Sequence, residues 1–302
     1  MAPIKNLATS VHRRLLNEAK KSGRPFNELL QYFAMERFLY RLSRSRYAPH
    51  FVLKGALMLL VWDAPVSRPT KDVDLLGERI SNDVESLAQV VREVLETEVE
   101  PDGLTVDVHT IEAREITEAA EYGGIRVTWM TQLGTARVKQ QLDVGFGDLV
   151  LPEAQSVEYP TILDFPPPRL RSYTRESVIA EKFHAMVRFG DFNSRMNDFF
   201  DVWLLSRHFP FSGERLGEVI GKTFANRNTE VPGDPYPLTG QFAEIPLLEG
   251  RWTAFLKRSR VESCPPFPEV IASLAEFLAP VAASLAAEKR FDGRWEPPGP
   301  WE

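Results

Sequence analysis

Asp72 and Asp74 stand two positions apart in the segment 51–77, FVLKGALMLLVWDAPVSRPTKDVDLLG. Alternate side chains of a strand share a face, so the two carboxylates project together, about 7 Å apart at their α-carbons, while Val73 points away. Carboxylates so placed repel unless a cation lies between them. Mg2+ takes oxygen ligands and is commonly held by one or two carboxylates plus substrate phosphates, so the pair offers a magnesium seat and points to phosphoryl chemistry. A solvated strand edge with two acidic residues gives the same short pattern.

The elements around the pair decide between these readings. Residues 53–60 read as strand, turn and short amphipathic helix, with Lys54, Gly55 and Ala56 at the junction. Small residues there let the backbone approach a ligand, and a helix N-terminus offers N–H groups to phosphate. Lys54 either adds charge to that cradle or simply ends a strand at solvent. Further on, Val138, Leu142 and Val144 alternate with Lys139, Gln141 and Asp143, the pattern of a half-buried strand. Asp143 joins the first two carboxylates if the strands are neighbours, and is an exposed strand residue if they are not.

A lysine argument stands apart from these. Thr174 is an expected N-cap, and Val178, Ile179, Phe183, Met186 and Val187 form a helical stripe that includes Lys182, with Glu181, His184 and Arg188 on the polar side. A core-facing lysine either snorkels to water or meets an anion, either a triphosphate or Asp198. Asp198 and Asp201 share a face of the next helix with Arg195, opposite Met196, Phe199, Phe200, Trp203 and Leu204. That acidic side equally suits solvated surface.

A Gly-small turn, a helix and then Asp-x-Asp on the next strand resembles the DNA polymerase β-like nucleotidyltransferase superfamily. The longer form, LKGALMLL through RPTKDVDLL, is similar to the AbiEii/AbiGii toxin branch of abortive-infection and toxin–antitoxin systems, as are QLDVGFGD at 141–148, Glu181-Lys182, and RMNDFFD at 195–201. The likeness covers roughly residues 45–210. It implies an α/β (α+β) fold with a mixed-sheet nucleotidyltransferase core, two Mg2+ ions on Asp72, Asp74 and Asp143, and NTP held by Lys54, Gly55, Ala56 and Lys182. It further implies Asp198 as partner of the lysine or the acceptor, with Asp201 less central, an RNA acceptor, namely the tRNA 3′ end, and a separately encoded antitoxin. Ala56 departs from the pattern, which usually has Ser or Gly there; the change removes a hydroxyl and keeps the backbone donor. A non-catalytic nucleotide-binding module is the alternative that this departure suggests, and a metal-dependent glycosyltransferase would share the Asp-x-Asp but has no need of the glycine turn.

Composition bounds these readings. With 302 residues the chain can bury a large core or two packed domains. The single cysteine, Cys264, rules out an internal disulfide and suits a reducing cytosol. The start lacks a signal-peptide apolar region, and the longest apolar run, 56–62, is too short to span a bilayer, so a cytoplasmic, monomeric enzyme is expected. A net charge of −6 argues against a dedicated DNA-binding protein. The first ~50 residues are nonetheless basic, with Arg13, Arg14, Lys20, Lys21, Arg24, Arg37, Arg41, Arg44 and Arg46 interleaved with aromatics. They suit either an RNA-facing surface or two amphipathic helices with arginines outward.

Boundaries are expected at 48/49 and 158/159: an N-terminal helical lobe (1–48), the nucleotidyltransferase core (49–158) and a mainly helical C-terminal domain (159–302). Residues 159–169, YPTILDFPPPR, read as a stiff extended connector. Residues 226–250 read as a long loop and 295–302 as an unstructured tail or docking segment.

Overall fold

A computed structural model describes residues 6–65, 68–116, 123–261 and 263–302. Its contacts divide the chain into two compact units, one of Met1–Trp62, Thr70–Gly147 and Ala154–Ser172, the other of Asp63–Pro69, Asp148–Glu153 and Tyr173–Glu302.

The first unit contains α1 (Leu7–Ser22), α2 (Phe26–Arg44), β1 (Phe51–Lys54), α3 (Met58–Val61), β2 (Val73–Gly77), α4 (Val84–Leu95), β3 (Leu104–Ile116), β4 (Gly124–Leu133), β5 (Ala136–Phe146), β6 (Gln155–Glu158) and β7 (Arg169–Ser172). The seven strands form one mixed sheet in the order β3-β4-β5-β2-β1-β7-β6. β2 is the pivot: it runs antiparallel to β1 and parallel to β5. Alternation does the sorting here. Val73 and Leu75 of β2 and Leu142 and Val144 of β5 are buried in a core shared with Met35, Phe38 and Leu39 of α2 and Leu87, Val91 and Val94 of α4. Their neighbours Asp74 and Asp143 therefore emerge on the opposite face.

α4 starts where Asp83 caps Ser86 N at 2.8 Å. The basic N-terminal helices belong to this unit and pack on its sheet, as the shared core of α2, β1 and β5 shows. So does the proline-rich segment 159–169, which is not an extended connector as expected: it bends at 162–165 and closes on itself between the antiparallel strands β6 and β7, with Tyr159 N donating to Pro168 O at 2.9 Å and Phe165 N to Leu163 O at 2.7 Å. It is pinned to α2, where Ile162 N donates to Glu36 Oε2 (2.8 Å) and Arg37 Nη2 donates to Pro166 O (2.7 Å).

The second unit holds α5 (Arg175–Phe189), α6 (Met196–His208), β8 (Phe211–Ser212), α7 (Gly213–Asn226), α8 (Gly240–Ala243), α9 (Pro246–Ser259), α10 (Phe267–Ala286) and β9 (Arg294–Trp295). Thr174 caps α5 as the sequence suggests, accepting from Ser177 N at 3.2 Å. α10 is apolar enough and long enough, at 20 residues, to cross a membrane, yet Val270, Leu274, Phe277 and Val281 are buried where it packs on α6 and α7.

Two further expectations need correction. Residues 226–250 are not one loop: a 3₁₀ turn at Tyr236–Leu238, α8 and the start of α9 lie there, with Leu238, Phe242 and Leu248 buried. The C-terminal segment is not an unstructured tail. β9 pairs with β8, Trp295 is buried and donates from Nε1 to Ser206 O at 2.6 Å, and the Trp301 ring stacks on Phe277.

Candidate active site

Asp74 lies on β2 and Asp143 on β5, and the parallel pairing puts these two residues directly opposite each other. Asp72 precedes β2 by one residue. One carboxylate oxygen from each of the three falls within 4.8 Å of the others, and all three side chains are half-buried. The three carboxylates thus converge, with Asp72 coming from the residue just before β2 rather than from the strand expected to carry it. Asp72 accepts a hydrogen bond from Thr70 Oγ1. Gln141 Nε2 reaches Asp143 Oδ2 at 3.3 Å and Asp72 Oδ2 at 3.5 Å, so it spans two members of the trio. Arg126, on β4, forks onto Asp143 through Nε (2.8 Å) and Nη2 (2.7 Å).

Gly55 is fitted to this cluster by the absence of a side chain. β1 ends at Lys54, opposite Asp74, and Gly55 turns away from the strand with a φ of 74°. A Cβ added there would lie 2.0 Å from Asp74 Oδ2. Both the left-handed backbone and the close approach demand glycine. The next residue, Ala56, is buried. The helix after it is shorter than the sequence suggests, a 3₁₀ turn at Gly55–Leu57 followed by a single α-helical turn.

In the second unit Lys182 meets carboxylates rather than water. Its Nζ lies 2.6 Å from Asp198 Oδ1 and 3.0 Å from Asp201 Oδ2. Arg68 forks onto Asp201 at 2.9 Å through both Nε and Nη2, and Arg195 Nε approaches Asp198 Oδ2 at 2.7 Å. Burial alone would lower the ammonium's pKa, but Asp198 and Asp201 outweigh it and hold Lys182 above its ordinary value. Burial likewise pushes Asp201 up, and Arg68 and Lys182 overcome it, so that carboxyl sits below the usual range. The acidic side of α6 is therefore not solvated surface: Asp198 and Asp201 are 0% and 2% exposed.

His184 needs correction as well. Expected on the polar side of α5, it is buried, with Nε2 at 3.1 Å from Thr229 Oγ1 and Nδ1 at 3.1 Å from Arg227 Nη1. Burial, then the guanidinium of Arg227, bring its pKa down to about 4.

A family described as the nucleotidyl transferase AbiEii toxin, of type IV toxin–antitoxin systems, matches residues 37–273. The chain belongs to the AbiEii family. The protein is therefore a nucleotidyltransferase and the toxin of a type IV toxin–antitoxin pair, with a nucleotide substrate and an antitoxin partner. No curated protein matches it in sequence. Two solved Helicobacter pylori structures are similar. JHP933 is 14% identical with a TM-score of 0.49, over 86% of this chain and 94% of that one. A candidate nucleotidyltransferase is 15% identical with a TM-score of 0.46, over 86% and 96%.

The donor set of this AbiEii chain fits a hard divalent cation, since three carboxylates, two on the paired strands β2 and β5 and one just before β2, each bring an oxygen to one place. Sequence reasoning missed Arg126, Gln141 and Arg68 as partners. Gln141 shares the strand phase of Asp143, a signal already in the sequence, whereas Arg126 joins that face only through the pairing of β4 with β5. Arg68 had only its place four residues before Asp72.

Proposed function

We propose that this AbiEii enzyme transfers a nucleoside monophosphate from an NTP to the 3′ end of an RNA, a tRNA, with Mg2+ held by Asp72, Asp74 and Asp143. The observation that carries the proposal is the meeting of these carboxylates beside the bare backbone of Gly55. Bound there, Mg2+ would lower the pKa of the attacking hydroxyl and offset charge on the triphosphate and its leaving pyrophosphate. The chain's own share is positioning. The strand pairing fixes Asp74 and Asp143 side by side, Thr70 and Gln141 orient Asp72, and the Gly55 turn, flanked by Lys54 and Ala56, offers backbone N–H groups to phosphate. Lys182 and Asp198 enter by the family resemblance, the lysine as a cation for the triphosphate and Asp198 as the anion that keeps it charged and placed.

Transfer of this kind needs little covalent participation by the protein. The RNA acceptor also rests on the resemblance. Within the basic N-terminal stretch Arg37, buried beside Glu36, and Arg41, paired with the buried Asp102, are held inside the fold, whereas Arg46, paired with Glu93, remains 74% exposed.

The test is incubation of the purified protein with Mg2+, each labelled NTP in turn, and total tRNA. A labelled RNA product is expected. Asp72→Asn should lower its rate by about 10³-fold or more while leaving the circular dichroism spectrum unchanged, since the lost charge lies at the metal seat rather than in the core. A fully active variant would remove the site assignment, and failure to label any RNA with any NTP would remove the acceptor.

A further inference from the structure

Arg126 and Asp143 are cross-strand neighbours on β4 and β5, in direct register. The guanidinium reaches both oxygens of the carboxylate, at 2.8 and 2.7 Å, the two-point geometry that makes such pairs strong. The arginine side chain is 24% exposed and that of Asp143 15%, so water screens the pair only in part. A cation drawn to the three carboxylates meets a competitor already in place, because Asp143 Oδ2 accepts from both Arg126 and Gln141.

We propose that Arg126 is the built-in counter-ion of the carboxylate trio. It holds and neutralises Asp143 until a divalent cation claims that carboxylate, and so weakens the site for free metal. The inference rests on the reading of Asp72, Asp74 and Asp143 as a metal seat. Its consequence is that a cation accompanied by the negative charge of a nucleotide is favoured over a bare one. The nucleotide's phosphates bring their own ligands, and the released guanidinium becomes a second charge for them. Arg126 is thus a positioning residue that acts through Asp143.

Free Mn2+ measured by electron paramagnetic resonance in the presence of the protein, without nucleotide, tests this directly. R126Q should bind Mn2+ more tightly than wild type by roughly tenfold, within the usual range of coupling between sites. R126K, which keeps the charge but cannot fork onto both oxygens, should fall between them. In a D143N background the R126Q substitution should change nothing, because the effect passes through that carboxylate. Unchanged or weaker Mn2+ binding by R126Q, or an equal gain in the D143N background, would overturn the counter-ion role and leave Arg126 a scaffold for the strand. If R126Q folds poorly, the R126K comparison decides alone: affinity no tighter than wild type defeats the proposal. Wild-type protein that binds Mn2+ no better than D72N defeats the metal seat itself, an outcome separable from the first because it is read without altering Arg126.

Discussion

At the level of single residues, Gly55 ties backbone conformation to chemistry. Its φ of 74° and the 2.0 Å approach that a Cβ would make to Asp74 Oδ2 mean that alanine cannot enter without moving either the turn or the carboxylate. Gly55→Ala should therefore lower stability by about 1–3 kcal/mol and, by displacing Asp74, reduce nucleotide transfer more than that loss of stability explains. Thermal melts beside transfer rates check this; a variant as active as wild type would mean that Asp74 need not stay where it is. Asp72 and Asp74 were legible because a two-residue spacing is a local property, although Asp72 stands just before β2 rather than in it. Asp143 was legible conditionally, since its phase could be read but its neighbour strand could not. The guanidiniums that complete these clusters were not, as Arg126 depends on strand order and Arg68 reaches Asp201 across 133 residues of sequence. No periodicity encodes such pairings.

At the level of elements, the sequence succeeded where apolar spacing was regular and failed where proline and glycine broke it. α5, with its Thr174 cap and apolar stripe, is of the first kind. Residues 226–250 and the C-terminus are of the second. There the order comes from large aromatics rather than periodicity: Phe242 packs beside Phe199 and Phe267, and Trp295 and Trp301 close on Phe277. A two-residue strand such as β9 has no pattern to read, and it exists because Trp295 has a buried place and a carbonyl for its indole N–H. Trp295→Ala should accordingly cost about 3–5 kcal/mol, the usual range for truncating a buried tryptophan, seen as a lower denaturant midpoint. A cost below 1 kcal/mol would return the C-terminal segment to the status of a tail.

At the level of the whole molecule, each unit buries a group that titrates between pH 4 and 7 in the fold, Glu36 in the first and His184 in the second, and the two respond to pH in opposite senses. Glu36, in the first unit, is 0% exposed; burial raises its carboxyl to about 7 from 4.5, against the opposing pull of Ile162 N–H and Arg37. The folded state then holds a proton that the unfolded state releases, so this contribution is full below about 4.5 and is lost as pH rises through 7. His184, in the second unit, is lowered from 6.5 to about 4, so its contribution is present above 6.5 and lost as pH falls through 4. Each shift corresponds to about 3 kcal/mol at most. Glu36→Gln keeps an acceptor for Ile162 N–H and cannot ionise. The stability of that variant relative to wild type should therefore increase steadily between pH 4.5 and 7 and level off above. His184→Gln should show the mirror image, gaining on wild type as pH falls from 6.5 to 4. Urea unfolding of all three proteins across pH 4–8 measures both differences. Because each is taken against wild type at the same pH, contributions shared by the proteins cancel, including that of Asp201, which a depressed pKa places below this window. Profiles that run parallel to wild type throughout would mean that neither buried group changes its protonation on folding.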